Sequence, residues 1–336
     1  VRKLLLVLVP VLLIAALAGG GIWLSQKEEP PTAGGTLVDE AADGLLVGRS
    51  TDVRVPWGRL QVTVTEPLDG IETDDQTASG SFLGVQVELR ATDDTVPVDR
   101  LPDASLEDPV FGVTADGEEW ELPALTGWVD GVAIVPGARR QYVALPAGAE
   151  EVAVTMTYDG VTQTIDATTA DVTTGDAAPL YDASFASPGA PCGDQLWSTG
   201  AAAVEGAVSG CFVRSSVSHA YVAGLGWAPE GSRWLVVTVV PGAPSAFEKR
   251  RGTYQVSDAE TSYALGFTEP VEVYAANDLL PDTVEPDLLD PQVVVFEVPQ
   301  DRGTGQMDIR TGLTGELQGR GGTRTARALV VQGAFV

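Results

Sequence analysis

The segment EVAVTMTYDGVTQTID, residues 151–166, constrains the fold more than any other stretch of the chain. Val152, Val154, Met156 and Tyr158 share one face of a period-two repeat, and Asp159-Gly160 supplies the positive φ angles of a two-residue hairpin turn. A helix would scatter those four apolar side chains around its axis, so the segment predicts two antiparallel strands with one buried face. The same pattern recurs elsewhere. Leu60, Val62 and Val64 alternate with Gln61, Thr63 and Thr65, and Leu83, Val85, Val87 and Leu89 alternate with Gly84, Gln86, Glu88 and Arg90. Asp116-Gly117 in VFGVTADGEEWEL predicts another turned strand pair, with Trp120 a candidate core aromatic. From Arg54 onward no helix of ordinary length is readable, and the expected fold class is all-β.

At 336 residues the chain is too long for one ordinary sandwich and suits two domains and a tether. The expected division is an N-terminal membrane segment over 1–24, a Pro/Gly/Glu/Asp-rich flexible stalk over 25–50, and a first β-sandwich over 51–170. An Ala/Gly/Ser/Pro-rich linker over 171–204 and a second β-sandwich over 205–336 follow. The second half repeats the plan of the first. TYQVSDAETSYAL parallels FGVTADGEEWELP, PQVVVFEVP parallels ARRQYVALP, and GQMDIRTG parallels EVAVTMTYDG; ALVVQGAFV closes the chain as a last strand.

Leu4 to Leu24 carries no charge over 21 residues, about the length that a helix needs to cross a bilayer core. Arg2 and Lys3 before it and Glu28 and Glu29 after it predict a cytoplasmic N-terminus and an exported remainder. Ala16-Leu17-Ala18 is a small-residue pattern that a signal peptidase accepts, so cleavage and secretion stay open. The continuation through Ile22, Trp23 and Leu24 favours a retained anchor. The formal charge of −27, from 47 acidic and 20 basic residues, repels phosphate backbones and excludes nucleic acid as a natural partner.

In an oxidising compartment Cys192 and Cys211, the only cysteines, are expected to form one structural disulfide. Neither belongs to a CxxC or metal-ligand cluster, and no metal or cofactor is expected. His219 is the only histidine, placed by alternation on one strand face with Val213, Ser215, Val217 and Tyr221. Neither a Gly-x-Ser-x-Gly elbow nor a Ser-x-x-Lys pair accompanies it, so no catalytic residue is assigned and His219 is read as a core or edge residue. The acidic groups Glu72/Asp74/Asp75, Asp93/Asp94, Glu118/Glu119 and Asp282/Glu285/Asp287/Asp290 are read as solvated loop charge, because none has EF-hand spacing. Trp57, Trp120 and Trp234 adjoin strands and are expected inside. Trp128, Trp197 and Trp227 sit in Gly-bearing segments outside the strongest strands. Core packing competes there with an exposed ring that stacks on a sugar or anchors a protein, and Trp128 and Trp227 are the candidate ligand contacts.

The order WLVVTVV, then YQVSDAETSYAL, then PQVVVFEVP after a Pro/Asp-rich loop resembles the DUF4352-type, telokin-like extracellular immunoglobulin folds. The resemblance covers roughly residues 205–336 and, more faintly, 50–170. Such domains occur in secreted and lipid-anchored proteins of Gram-positive bacteria, including mycobacterial immunogenic antigens. The resemblance implies two immunoglobulin-like β-sandwiches and no catalytic residue. The expected function is therefore a non-catalytic, membrane-tethered interaction or scaffold protein of the cell envelope, with an envelope protein or a glycan as partner. Cell-wall glycan binding and a hydrolase with an interdomain site are the alternatives.

Overall fold

The structure is a computed structural model. It describes residues 35–41, 46–72, 77–92, 108–123, 127–129, 132–134, 139–182, 185–193, 195–199, 203–205, 211–242, 244–275, 291–301, 305–319 and 322–336. The apolar run 4–24, most of the acidic loop groups and most of the 25–50 segment lie outside the described residues. Among the described residues no helix is long and apolar enough to cross a membrane.

The first half supplies β1 (Leu37–Ala41), β2 (Arg49–Val55), β3 (Gly58–Val64), β4 (Leu68–Glu72) and β5 (Thr77–Thr92). After these come β6 (Val110–Ala115), β7 (Glu118–Glu121) and the short pair β8 (Gly127–Val129) and β9 (Val132–Ile134). Then follow β10 (Arg139–Leu145), β11 (Val152–Tyr158), β12 (Val161–Asp166) and β13 (Val172–Thr173). They build one sheet in the order β1-β10-β5-β3-β2, with β4 on β5, and a second in the order β13-β12-β11-β6-β7. Leu60, Val62, Leu83 and Val85 of the first sheet pack against Phe111, Val113, Val154 and Met156 of the second in one buried core.

A 3-10 helix (Gly175–Leu180) leads into β14 (Ala186–Pro191), β15 (Gln195–Thr199), β16 (Ala203–Glu205) and β17 (Phe212–His219). The chain continues through β18 (Tyr221–Val222), β19 (Gly226–Trp227), β20 (Ser232–Val240), β21 (Ala246–Lys249), β22 (Gly252–Leu265) and β23 (Glu272–Ala275). It ends with β24 (Gln292–Pro299), β25 (Gln306–Gly319) and β26 (Gly322–Phe335). Their two sheets run β14-β17-β20-β24-β23 and β15-β26-β25-β22-β21-β16, and they enclose a second core around Leu235, Val237, Phe296 and Ile309.

The hairpin expected at 151–166 is present. Tyr158 pairs with Val161, and Asp159 and Gly160 take φ values of 44° and 76°, the double positive φ of a type I′ turn. Asp116 and Gly117, at 48° and 86°, turn β6 into β7 in the same way. The internal repeat appears as shared connectivity. β3, β5 and β10 are neighbours in one sheet and β6, β11 and β12 in its partner; β17, β20, β24 and β22, β25, β26 occupy the same places in the same chain order.

Three expectations are corrected. The stalk does not extend to residue 50, because the Gly35 amide donates to the Ala144 carbonyl and β1 pairs with β10 from Leu37 to Ala41. LVDEA carries too few apolar residues to announce a strand, and its pairing is set by the free edge of β10. The segment 171–204 is not a plain linker either, since it holds the 3-10 helix and edge strands of both later sheets. Finally, a β-bulge between Val213 and Ser215 breaks the alternation in β17. Val213 faces the core opposite Val239, whereas Val217 and His219 fall with Val236 and Trp234 on the other side of that sheet.

Candidate functional site

Among the described residues, two places bring together polar or aromatic side chains that a sandwich does not need for its own core. The first is a trough of about 360 Å³ on the outward face of the β13-β12-β11-β6-β7 sheet. Alternation sends Phe111 and Val113 inward and leaves Val110, Gly112 and Thr114 outward, and register sets Gly112 between Thr155 of β11 and Glu121 of β7. Gly112 forms the floor. A Cβ there would stand 2.7 Å from Thr155 Oγ1, 3.2 Å from the Trp120 carbonyl oxygen and 3.6 Å from Glu119 Oε1. A glycine inside a strand weakens it, and here the missing side chain opens the sheet face to close approach. Glu119, Glu121, Thr157 and Val110 wall the trough. Neither carboxylate has an ion-pair partner among the described residues.

Glu118 and Glu119 are therefore strand residues of β7 and not loop charge. Nothing in the composition marks the trough, but the local sequence carries its signal. Gly112 leaves one outward position of VFGVT without a side chain, and the Asp116-Gly117 turn fixes which acidic residues lie across from it.

The second place is the junction between the two halves, and Trp227 lies in it. The β18–β19 hairpin pairs Tyr221 with Trp227. Its two sides are both apolar. Tyr221 and Ala223 are buried in the first sandwich's core, against which Trp227 also packs, while Val222, Leu225 and Ala228 pack on Trp234 and Val236 of β20. Tyr158 of the first half meets Tyr221 edge to face at 5.4 Å, and Tyr221 meets Trp227 at 5.4 Å in the same manner. Trp227 is half-buried, and its indole nitrogen is sequestered without an acceptor among the described residues. The hairpin also lies close to the Asp159-Gly160 turn, since a Cβ on Gly226 would come within 3.5 Å of Asp159 Oδ2.

Polar contacts continue this junction. The Arg54 guanidinium donates to the Leu180 carbonyl at 2.8 Å and lies over the Tyr181 ring, while the Tyr181 hydroxyl donates to Gln163. Burial raises the Tyr181 phenol above its ordinary range, against an opposing hydrogen bond from the Arg54 amide. Asp182 then accepts from Arg233 at 3.0 Å and from Gln300 at 2.8 Å, which ties the segment after the 3-10 helix to the second sandwich.

The expected disulfide joins Cys192 and Cys211, with a Cα–Cα separation of 5.4 Å. It follows directly in register on the Pro191–Phe212 pair, and it closes the excursion in which β15 and β16 leave for the other sheet. Trp57 and Trp234 are buried as expected, and Trp120 packs against the first core. Trp128 stands opposite Ala133 in the β8–β9 pair, and its side chain lies outside the described residues, as does that of Trp197. Among the described residues no group of three or more His, Cys, Asp or Glu side chains is placed to hold a metal ion. No family model, curated protein or solved structure matches the chain.

Proposed function

We propose that this protein is a non-catalytic, membrane-tethered interaction module of the cell envelope, built from two immunoglobulin-like sandwiches in tandem. The strand order of the second half supports the immunoglobulin-like assignment. With β17, β20, β22, β23, β24, β25 and β26 lettered A to G, its sheets contain A-B-E-D and C-F-G, the constant-type arrangement. The first half has A-B-E and C-F-G from β3, β5, β10 and β6, β11, β12, with β1 in the place of D. The DUF4352-type resemblance points the same way.

The observation that carries the interaction reading is the glycine-floored trough, where the Glu119 and Glu121 carboxylates stand exposed on a sheet face above the recessed Thr155. Sites of this kind recognise a partner by placed polar groups. The cell-wall-glycan alternative loses one of its two tryptophans, because Trp227 packs its ring on Tyr221 and the first core.

Export is supported by the uncharged run Leu4–Leu24, its flanking charges and the disulfide. With the anchor ending at Leu24 and the first backbone bond to the sandwich made at Gly35, the intervening ten residues hold the first sandwich within about 35 Å of the bilayer even when fully extended. Lys249 offers a direct test, since it is partly exposed on β21 and the chain's other lysines are Lys3 and Lys27. A membrane-impermeant amine reagent applied to intact cells is expected to label Lys249 in the full chain, and native recovery of the labelled chain should bring down the same partner in each preparation. Labelling of Lys249 only after lysis, or repeated recovery of the chain alone, would overturn the proposal.

A further inference from the structure

We infer that the trough between β6, β7 and β11 is a receptor for a basic side chain, guanidinium or ammonium, carried by a polypeptide partner. The inference rests on the interaction reading above and names the chemistry of its partner.

The first observation is charge without a counter-charge. Glu119 and Glu121 are two positions apart on β7, so both project from the outward sheet face, and no described lysine or arginine pairs with either. The whole chain, at −27, adds a field that draws cations and repels anions. The second observation is independent of charge. Thr155 is only 8% exposed, yet it lines the trough and its hydroxyl has no hydrogen-bond partner among the described residues. The rest of that side chain is packed in the sheet, and its oxygen opens toward the space that Gly112 vacates, where a donor entering the trough meets it.

The shape distinguishes the occupant. A sugar face wants an aromatic platform, but Phe111, the trough's one aromatic, is 1% exposed and turns its ring into the core. Val110, 47% exposed at the rim, suits instead the methylene stem of an arginine or lysine, with the charged head between Glu119 and Glu121 and one N–H donating to Thr155 Oγ1. Nothing in this arrangement calls for bond making or breaking. Gly112 acts as a gate by its size, since any side chain there would meet Thr155 and fill the floor.

The test is a titration of the full-length chain, methyl-labelled at threonine, with a short Gly/Ser peptide that carries two arginines. The same peptide with citrulline in place of arginine is the control. Shifts confined to Thr155, Thr157 and their neighbours are expected with arginine and not with citrulline. The double variant Glu119→Gln, Glu121→Gln should bind about tenfold more weakly or worse, which is what losing charge-assisted hydrogen bonds implies. Its threonine methyl spectrum without peptide should match the parent away from Thr155 and Thr157, because both substituted side chains lie on the outward face. Equal shifts from the citrulline peptide, no shift at Thr155, or unchanged affinity in the double variant would each overturn the inference. If the peptide fails to bind while native recovery still returns a partner, the cation receptor falls and the interaction module stands. If the peptide binds while native recovery returns no partner, the receptor stands and the module falls.

Discussion

Tyr221→Ala is expected to destabilise the first sandwich, although Tyr221 belongs to the second half of the chain. Its ring is 6% exposed, packs within the first core and makes an edge-to-face contact with Tyr158. Truncation leaves a void at the end of that core, and large-to-small changes of buried aromatics cost about 3–5 kcal/mol. The aromatic contact itself accounts for about 1 kcal/mol of this, which a double-mutant cycle with Tyr158 would isolate. The larger consequence is on cooperativity. The β18–β19 hairpin couples the two cores, so the parent should unfold in urea as one transition and Tyr221→Ala as two. Trp227→Ala should act in the same direction with a smaller effect, because that ring is only half-buried. A single, unshifted transition in Tyr221→Ala would show that the hairpin does not join the cores.

Removal of the disulfide is expected to act at the opposite flank of the second sandwich. Cys192 and Cys211 close a loop of about twenty residues, and a cross-link of that span stabilises by about 3 kcal/mol, chiefly by restricting the unfolded chain. The strands inside the loop depend on it most, since β15 holds only to β26 and β16 only to β21, each at a sheet edge. Cys192→Ser, Cys211→Ser should lower the denaturant midpoint in oxidising buffer and raise hydrogen exchange in β15 and β16 before the central strands. Reductant should reproduce the effect in the parent and leave the variant unchanged. Equal midpoints for the parent with and without reductant would contradict this role.

The two expected effects differ in how far the sequence announces them. The disulfide needs only two cysteines and an exported chain, and the period-two strands with their Asp-Gly turns fix registers as specific as Tyr158 against Val161. The hairpin at 221–227 is not legible. YVAGLGW alternates too briefly to declare which side is buried, and both its sides are apolar because each meets a different core. β1 hides for a related reason, as an edge strand takes its place from its neighbour and not from its own residues. His219 shows how one bulge inverts a face assignment that strict alternation would support. The trough is intermediate. Gly112 and the Asp116-Gly117 turn are visible in the chain, but only register brings Thr155, from a strand forty residues on, into line with Gly112 and Glu121.

Photo-crosslinking on intact cells tests the account most directly. A photoreactive residue replaces Val110 at the rim of the trough or, as control, Arg324, exposed on β26. The predicted result is one discrete protein adduct from position 110, lost in the Glu119→Gln, Glu121→Gln background and absent from position 324. Equal adducts from both positions, or none from position 110, would contradict an interaction module that works through this face.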